Sequence, residues 1–345
     1  MALTNPDYFL DGFDWYAAAD APMKYNGGGT FNAMISGAAP ATRYSYGQAA
    51  QNVGTGPTHN WAADKAYIIG GFTFIDTPAD KQLIRFASIL GGASAITLET
   101  TSGGILKLDH DGGTNICTSV GGVFTAATWH HIGFAIRVHP SAGRAYIWRD
   151  SELVAETTID TDTEQVASRS IGTFRYNATG IFDDLWMVRG DGISLASLIE
   201  EWEEIGDQWV SRYMPPSNGD DADGTPSAGT NYQTVDEIPT STADYNTLAA
   251  AGDRDLYPMA TLDANVGAIS MVQATHVALH EPASGTPQKT KNVLKIAGDL
   301  EYGIEHTIAG LAKAYFDIFR VNPNNGLPWT KSGLEAAQRG YEKTE

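Results

Sequence analysis

The chain has 345 residues, 42% of them apolar, and its 41 acidic against 22 basic side chains give a formal charge of −19. That length has room for two domains of ordinary size, and the charge argues against a nucleic-acid partner, since nothing would neutralise phosphates. A single cysteine, Cys117, excludes an internal disulfide and any cysteine-held metal. The 37 glycines, with few long helical patterns, point to a turn-rich all-β chain. The start, MALTNPDYFLDGFDWY, carries neither a basic leader nor an apolar core of signal-peptide length. No apolar span is long enough to cross a bilayer, so the expectation is a chain made and folded in a cytoplasm, with no membrane insertion.

In Phe9–Tyr16, Asp11-Gly12 is a turn signal between aromatic residues. Asp11 and Asp14 are expected to be exposed turn residues rather than an acid–base pair. Gly27-Gly28-Gly29 lacks the strand before and helix after that a phosphate cradle needs. Tyr44 and Tyr46 share a face in Ala41–Asn52, and Ala66–Ile75 reads as a strand whose glycine pair marks a bulge or close packing. Further strands are expected at Gln82–Leu90, Ala95–Thr100, Gly104–Leu108 and Cys117–Phe124. The Gln82–Leu90 run is apolar on nearly both faces, as in a central strand. A recurrence near ten residues fits a sandwich or jelly roll. Asp109 and Asp111 resemble the start of a calcium loop, but the twelfth position is Val120 rather than Glu. The stretch reads as a turn, as does the acidic Asp160, Asp162 and Glu164 loop.

Thr128–Asp150 alternates strictly: His131, Gly133, Ala135 and Arg137 oppose Ile132, Phe134, Ile136 and Val138. After a Pro140–Gly143 turn, a second alternating run follows, and Ser151–Thr157 extends the meander. This is a long antiparallel ribbon whose apolar face needs a second sheet on it. Ser170–Tyr176 and Ile181–Val188 close the sandwich. Asp183 and Asp184, buried unpaired, would cost several kcal/mol, so the strand is at an edge or each carboxylate finds donors. As neighbours on a strand they face opposite sides, and no Glu-x-Asp-x-x-Glu run supplies glycosidase acids. Arg189-Gly190-Asp191 receives no adhesive role. Ser194–Glu204 is the first good helix.

Residues 215–230, PPSNGDDADGTPSAGT, have the composition of a linker. Beyond it, strands are expected at Thr234–Ile238, Asp244–Leu248, Ala268–His280, Gln288–Ile296 and Ala312–Val321, with a closing helix at Ser332–Gly340. Gln288–Ile296 is expected to pair with Ala268–His280. His276 and His280, four apart on a strand, lie about 13 Å from each other; with His306 they read as surface or interface histidines.

TWHHIGFAIRV followed by GRAYIWRDSELVAE resembles the core hairpin of laminin-G and concanavalin-A-like jelly rolls. DGFDWY (Asp11–Tyr16), PSAGTNYQTVDE with AGDRDLY (Pro226–Glu237 and Ala251–Tyr257), and FRVNPNNGLPWTKSGLEAAQRGYE (Phe319–Glu342) resemble a recurrent family of tailed-bacteriophage virion proteins. The likeness spans nearly the whole chain and departs from it between Lys289 and Thr307. It implies an all-β chain with a laminin-G-like jelly roll at 1–205, a strand at Asp207–Tyr213 and linker through 230, and a smaller C-terminal β-sandwich at 231–345 ending in a short helix. It also implies a non-enzymatic virion component, an oligomeric (trimeric) tail-associated fibre or adhesion subunit. Its partners are other virion proteins, itself and host-surface glycan, without catalytic, metal or cofactor residues. The alternatives are a head-decoration or head-fibre protein, a glycan depolymerase, and a free carbohydrate-binding module. Tyr44, Tyr46 and Trp61 are candidate sugar platforms that core or oligomer contacts explain better. Leu327, Pro328 and Trp329 form an apolar knob with little room inside a lone β domain.

Overall fold

The computed structural model describes residues 4–12, 24, 33–36, 48–52, 56–88, 95–110, 114–157, 163, 171–177, 180–191, 195–206, 210, 213–236, 243–280 and 288–345. It divides into two compact units, Met1–Ser211 and Arg212–Glu345. Both are built from antiparallel sheets, as the alternating patterns require. No helix among the described residues is long and apolar enough to cross a membrane.

In the first unit the strands are β1 (Thr4–Asp11), β2 (Ala33–Ser36), β3 (Gln48–Asn52), β4 (Thr58–Lys65), β5 (Tyr67–Ile75), β6 (Lys81–Ala87) and β7 (Ala95–Thr100). They continue with β8 (Leu106–His110), β9 (Thr114–Thr118), β10 (His130–Arg137), β11 (Arg144–Arg149), β12 (Glu152–Glu156), β13 (Ile171–Tyr176) and β14 (Gly180–Asp191). One sheet runs β12-β11-β10-β5-β14-β3-β2 with β1 also paired to β14; the other runs β4-β13-β6-β7-β8-β9. The ribbon forms as its period of two dictates, with Phe134 opposite Ile147 and Ala135 opposite Tyr146. Asp150 and Ser151 both hold positive φ (51° and 67°), which gives the tight turn into β12 the twist of its flanking strands. Ile132, Phe134 and Ile136 are fully buried, and Phe134 meets Phe86 of the opposite sheet at 5.0 Å. Strand β6 is central, as its two apolar faces require.

The outer face of the first sheet is covered by α1 (Leu195–Ile205). Trp202 is 2% exposed and stacks on Trp148 at 4.1 Å and 8°. This fit depends on Gly133, where any Cβ would overlap the Trp202 indole, so the glycine serves close packing. Gly70 and Gly71 pair regularly with Phe134 and Gly133, so the glycine pair marks close packing, where a Cβ would overlap Phe134 or His131, and not a bulge. The irregularity lies instead in β14, between Asp183 and Trp186. There Asp184 has φ 50° and accepts hydrogen bonds from the Val210 N–H at 2.8 Å and the Thr73 hydroxyl at 3.3 Å. Asp183 accepts from the Asp184 N–H at 2.8 Å. Strand β14 is thus internal, and its buried carboxylates are satisfied by donors rather than by an edge.

The second unit contains β15 (Thr225–Pro226), β16 (Asn246–Thr247), β17 (Arg254–Pro258), β18 (Val272–Ala278), β19 (Lys289–Ile296), β20 (Asp299–Thr307), β21 (Lys313–Phe319), α2 (Lys331–Glu335) and β22 (Gln338–Lys343). Its main sheet is β17-β22-β19-β20, and β18 pairs with β21 in a separate ribbon. A cluster of Leu262, Ala274, Leu294, Ile296, Trp329, Leu334 and Ala337 forms the core between them.

Several expectations are corrected here. Strand β19 pairs with β20 and β22, not with β18. The expected Ser332–Gly340 helix stops at Glu335, and the chain returns as β22 through the middle of the sheet. Of the knob, only Trp329 is buried, at 4%, donating to the Phe319 carbonyl at 2.9 Å; Leu327 (61% exposed) and Pro328 stay exposed. The expected strand at 117–124 ends at Thr118. Val210 and Tyr213 carry no strand pairing. The 215–230 stretch folds onto β17, with the Asp223 N–H donating to the Arg254 carbonyl and the Leu256 N–H to the Asp221 carbonyl. Tyr44, Tyr46, Asp14, Gly27-Gly28-Gly29, Asp111, Asp160, Asp162 and Glu164 lie outside the described residues.

Candidate functional site

A polar cleft lies on the outer face of the six-stranded sheet, where β6, β7 and β8 run side by side. Period-two alternation sends Ile84, Leu98 and Leu108 inward, one opposite the other. The same alternation sends Glu99 and Lys107, also a register pair, outward. Asp80, Lys81, Gln82, Glu99, Thr100, Thr101 and Lys107 line a cleft of about 230 Å³. Lys107 sits between two carboxylates, 2.9 Å from Glu99 and hydrogen-bonded to Asp109. Partial burial pulls its pKa down, but the hydrogen bonds from Asp109 and Glu99 outweigh this and hold it above the ordinary lysine range. The Thr97 hydroxyl donates to Glu99 at 2.7 Å, Lys81 pairs with Asp76, and Asn177 donates to Gln82.

This arrangement offers alternating donors and acceptors in a shallow, open setting. It suits a polyhydroxylated ligand held by several hydrogen bonds. Hydrolysis would require a carboxylic acid kept protonated beside an ionised partner. Here Glu99 and Asp109 both contact the one Lys107 ammonium. Among the described residues, no group of three or more His, Cys, Asp or Glu side chains is placed to hold a metal. Asp109, the described member of the calcium-like pair, is 4% exposed and bound to Lys107. Cys117 is buried, and burial pushes its thiol up to about 12, leaving it unreactive.

Other candidates resolve into structural roles. Arg189 is 1% exposed, donating to the Ile171 carbonyl and to Asp7 with its guanidinium 4.3 Å from the Trp61 ring. The Arg-Gly-Asp triplet is therefore part of an internal strand. Trp61 is engaged by Arg189 and Phe174, so it is no sugar platform. Asp11, expected at the surface, is 1% exposed and faces Lys24. His276 is 9% exposed rather than a surface residue; its Nδ1 is 2.8 Å from Asn292 Oδ1. His306 contacts Asp317 at 3.3 Å, and Asn292 donates to that carboxylate.

One constellation escaped sequence reasoning. His130 Nδ1 is 2.7 Å from Asp150 Oδ2, and its Nε2 is 2.9 Å from the Thr125 hydroxyl. The Thr125 backbone N–H also points at Nε2, at 3.3 Å. The order carboxylate, imidazole, hydroxyl resembles a catalytic relay, but the backbone donor shares the same lone pair. The imidazole thus ties the loop before β10 to the turn after β11. The adjacent histidines in TWHH were its only sequence signal.

No family model and no curated protein matches the chain. Among solved structures, lectin II from Ulex europaeus aligns at 10% identity and a TM-score of 0.33, covering 55% of this chain and 99% of the lectin. Domain 4 of AbnA, a GH43 extracellular arabinanase from Geobacillus stearothermophilus in complex with arabinotriose, aligns at 14% identity and 0.32, covering 57% and 88%. The Ruminococcus gnavus IT-sialidase CBM40 bound to α2,3 sialyllactose aligns at 12% identity and 0.29, covering 44% and 95%.

Proposed function

We propose that the chain is a structural subunit of a tailed-bacteriophage particle, a trimeric tail-associated fibre or adhesion protein. Its first unit meets host-surface glycan through the polar cleft, and its second unit supplies the contacts between subunits. The observation that carries this reading is the distribution of exposed apolar side chains. Of the nine large ones among the described residues, seven lie in the smaller second unit: Tyr245, Leu279, Tyr302, Ile304, Leu311, Val321 and Leu327. Isolated apolar residues on a surface are ordinary, whereas their concentration in one unit is what an assembly interface requires. A charge of −19 keeps such a chain soluble before assembly. The terminal sequence signatures support the virion setting.

Immunogold electron microscopy of the particles that carry this chain tests the reading. Label on the tail is expected. Label on the head surface would replace the tail assignment with a decoration protein, and unlabelled particles would overturn the virion reading. Release of reducing sugar from a panel of host polysaccharides would overturn the non-enzymatic part.

A further inference from the structure

A lysine and an aspartate face each other in the interior of the first unit, where neither charge is well placed. Lys24 Nζ lies 3.5 Å from Asp11 Oδ1, and the two side chains are 1% and 0% exposed. The same Nζ donates to the Leu10 carbonyl and sits 5.1 Å from the centre of the Phe9 ring. Phe9 is fully buried and packs edge-on against Phe174 at 5.1 Å, so the surroundings are apolar on that side. Leaving water is costly for both ions of such a pair. Loss of the ammonium proton leaves an uncharged amine, which escapes that cost. Burial drives Lys24 that way, pulling its pKa below the ordinary range against the opposing charge of Asp11.

From this geometry we propose that Lys24 and Asp11 form an intramolecular amide cross-link after folding, tying the end of β1 to the segment that carries Lys24. In the reaction, the unprotonated Nζ adds to Cγ of the protonated Asp11 carboxyl. An N–C bond forms and one Cγ–O bond breaks; the carboxyl hydroxyl departs with one amine proton as water. No oxidant, reductant or cofactor enters. Nζ lies 3.5 Å from one oxygen of the carboxyl group it attacks, and holding the two groups together raises their effective concentration. The Leu10 carbonyl, by accepting one Nζ proton, orients the amine. The dry site disfavours hydrolysis of the product. For a chain whose single cysteine rules out an internal disulfide, this would be a covalent staple independent of redox conditions.

Intact-mass spectrometry of the purified full chain, freshly prepared and after prolonged incubation at neutral pH, tests the proposal. The expected mass is that of the sequence less one water, about 18 Da, with Lys24 resisting trypsin and with the Asp11 and Lys24 fragments still joined after chymotrypsin has cut between them at Phe13, Trp15 or Tyr16. Lys24→Arg and Asp11→Ala should each restore the full sequence mass. Asp11 precedes Gly12, a pair that can also lose water by closing on its own backbone. Loss of water that persists in Lys24→Arg and lies in a linear peptide would therefore overturn the cross-link, as would an undiminished mass in the incubated wild-type chain.

Discussion

Replacing His276 with Phe should remove a specific part of the pH dependence of folding. The imidazole lies in the β18–β21 ribbon between the rings of Tyr315 and Tyr341, at 5.6 and 5.5 Å. Its Nδ1 is engaged by Asn292, while Nε2 is buried without a hydrogen-bond partner. Burial is the main cause that pushes its pKa down, from 6.5 to about 4, with His306 lowering it further and Asn292 and Asp317 opposing. A folded-state pKa below the unfolded one means that unfolding takes up a proton. The stabilisation is therefore fully present above about 6.5 and is lost as pH falls towards 4. At about 1.4 kcal/mol per pKa unit, that interval is worth roughly 3 kcal/mol. Asp317 acts lower: burial raises its pKa, but hydrogen bonds from His306, Asn292 and the Ile304 N–H outweigh this and hold it below the carboxylate range. Its contribution is kept down to the ordinary carboxylate pKa, leaving the interval from 6.5 to 4 to His276. Phe keeps the ring packing but leaves Asn292 without one partner, at about 1 kcal/mol near neutrality. Urea unfolding of both full chains from pH 7 to 4, read by hydrogen exchange of β18 and β21 amides, should show the variant losing roughly 3 kcal/mol less. Parallel curves would refute the reasoning.

Four other outcomes are expected. Gly133→Ala should force Trp202 off Trp148 and lower stability by about 1–3 kcal/mol, visible as a lowered thermal midpoint. Asp184→Ala should cost about 1–3 kcal/mol by stripping an acceptor from the Val210 N–H and the Thr73 hydroxyl, measured by denaturant unfolding. Arg189→Ala should cost about 1–3 kcal/mol, since the Ile171 carbonyl loses its buried donor while Asp7 is partly exposed. Lys107→Met should cost about 3 kcal/mol, because it leaves the buried Asp109 carboxylate without its cation, and should abolish retention of the folded chain on a glycan array; unchanged retention would remove the cleft from the binding site.

The ribbon was legible because nine alternating residues leave one reading, and the internal place of β6 followed from its two apolar faces. Strand β22 was hidden because EAAQRGYEK continues a helical composition. What turns it into a strand is tertiary: at Gly340 the backbone of Asp255 approaches so closely that no side chain fits, and the Tyr341 hydroxyl reaches the Asp255 carboxylate. The partner of β19 was misread for a related reason. Adjacent strands usually pair, but the β18–β21 ribbon closes on itself and leaves β19 to the sheet. Burial of His276 and of Asp11 could not be read locally either, since each depends on a partner, Asn292 or Lys24, that composition places in an unremarkable stretch. The cleft is formed by Glu99 and Lys107, residues that look like any solvated strand face until register sets them opposite each other.

Sedimentation equilibrium of the full chain at micromolar concentration tests the assembly reading most directly. A particle three times the 36.9 kDa chain mass, falling to single chains when Leu279, Ile304 and Leu311 are made polar, is expected. A single-chain mass for the wild type at that concentration would contradict it.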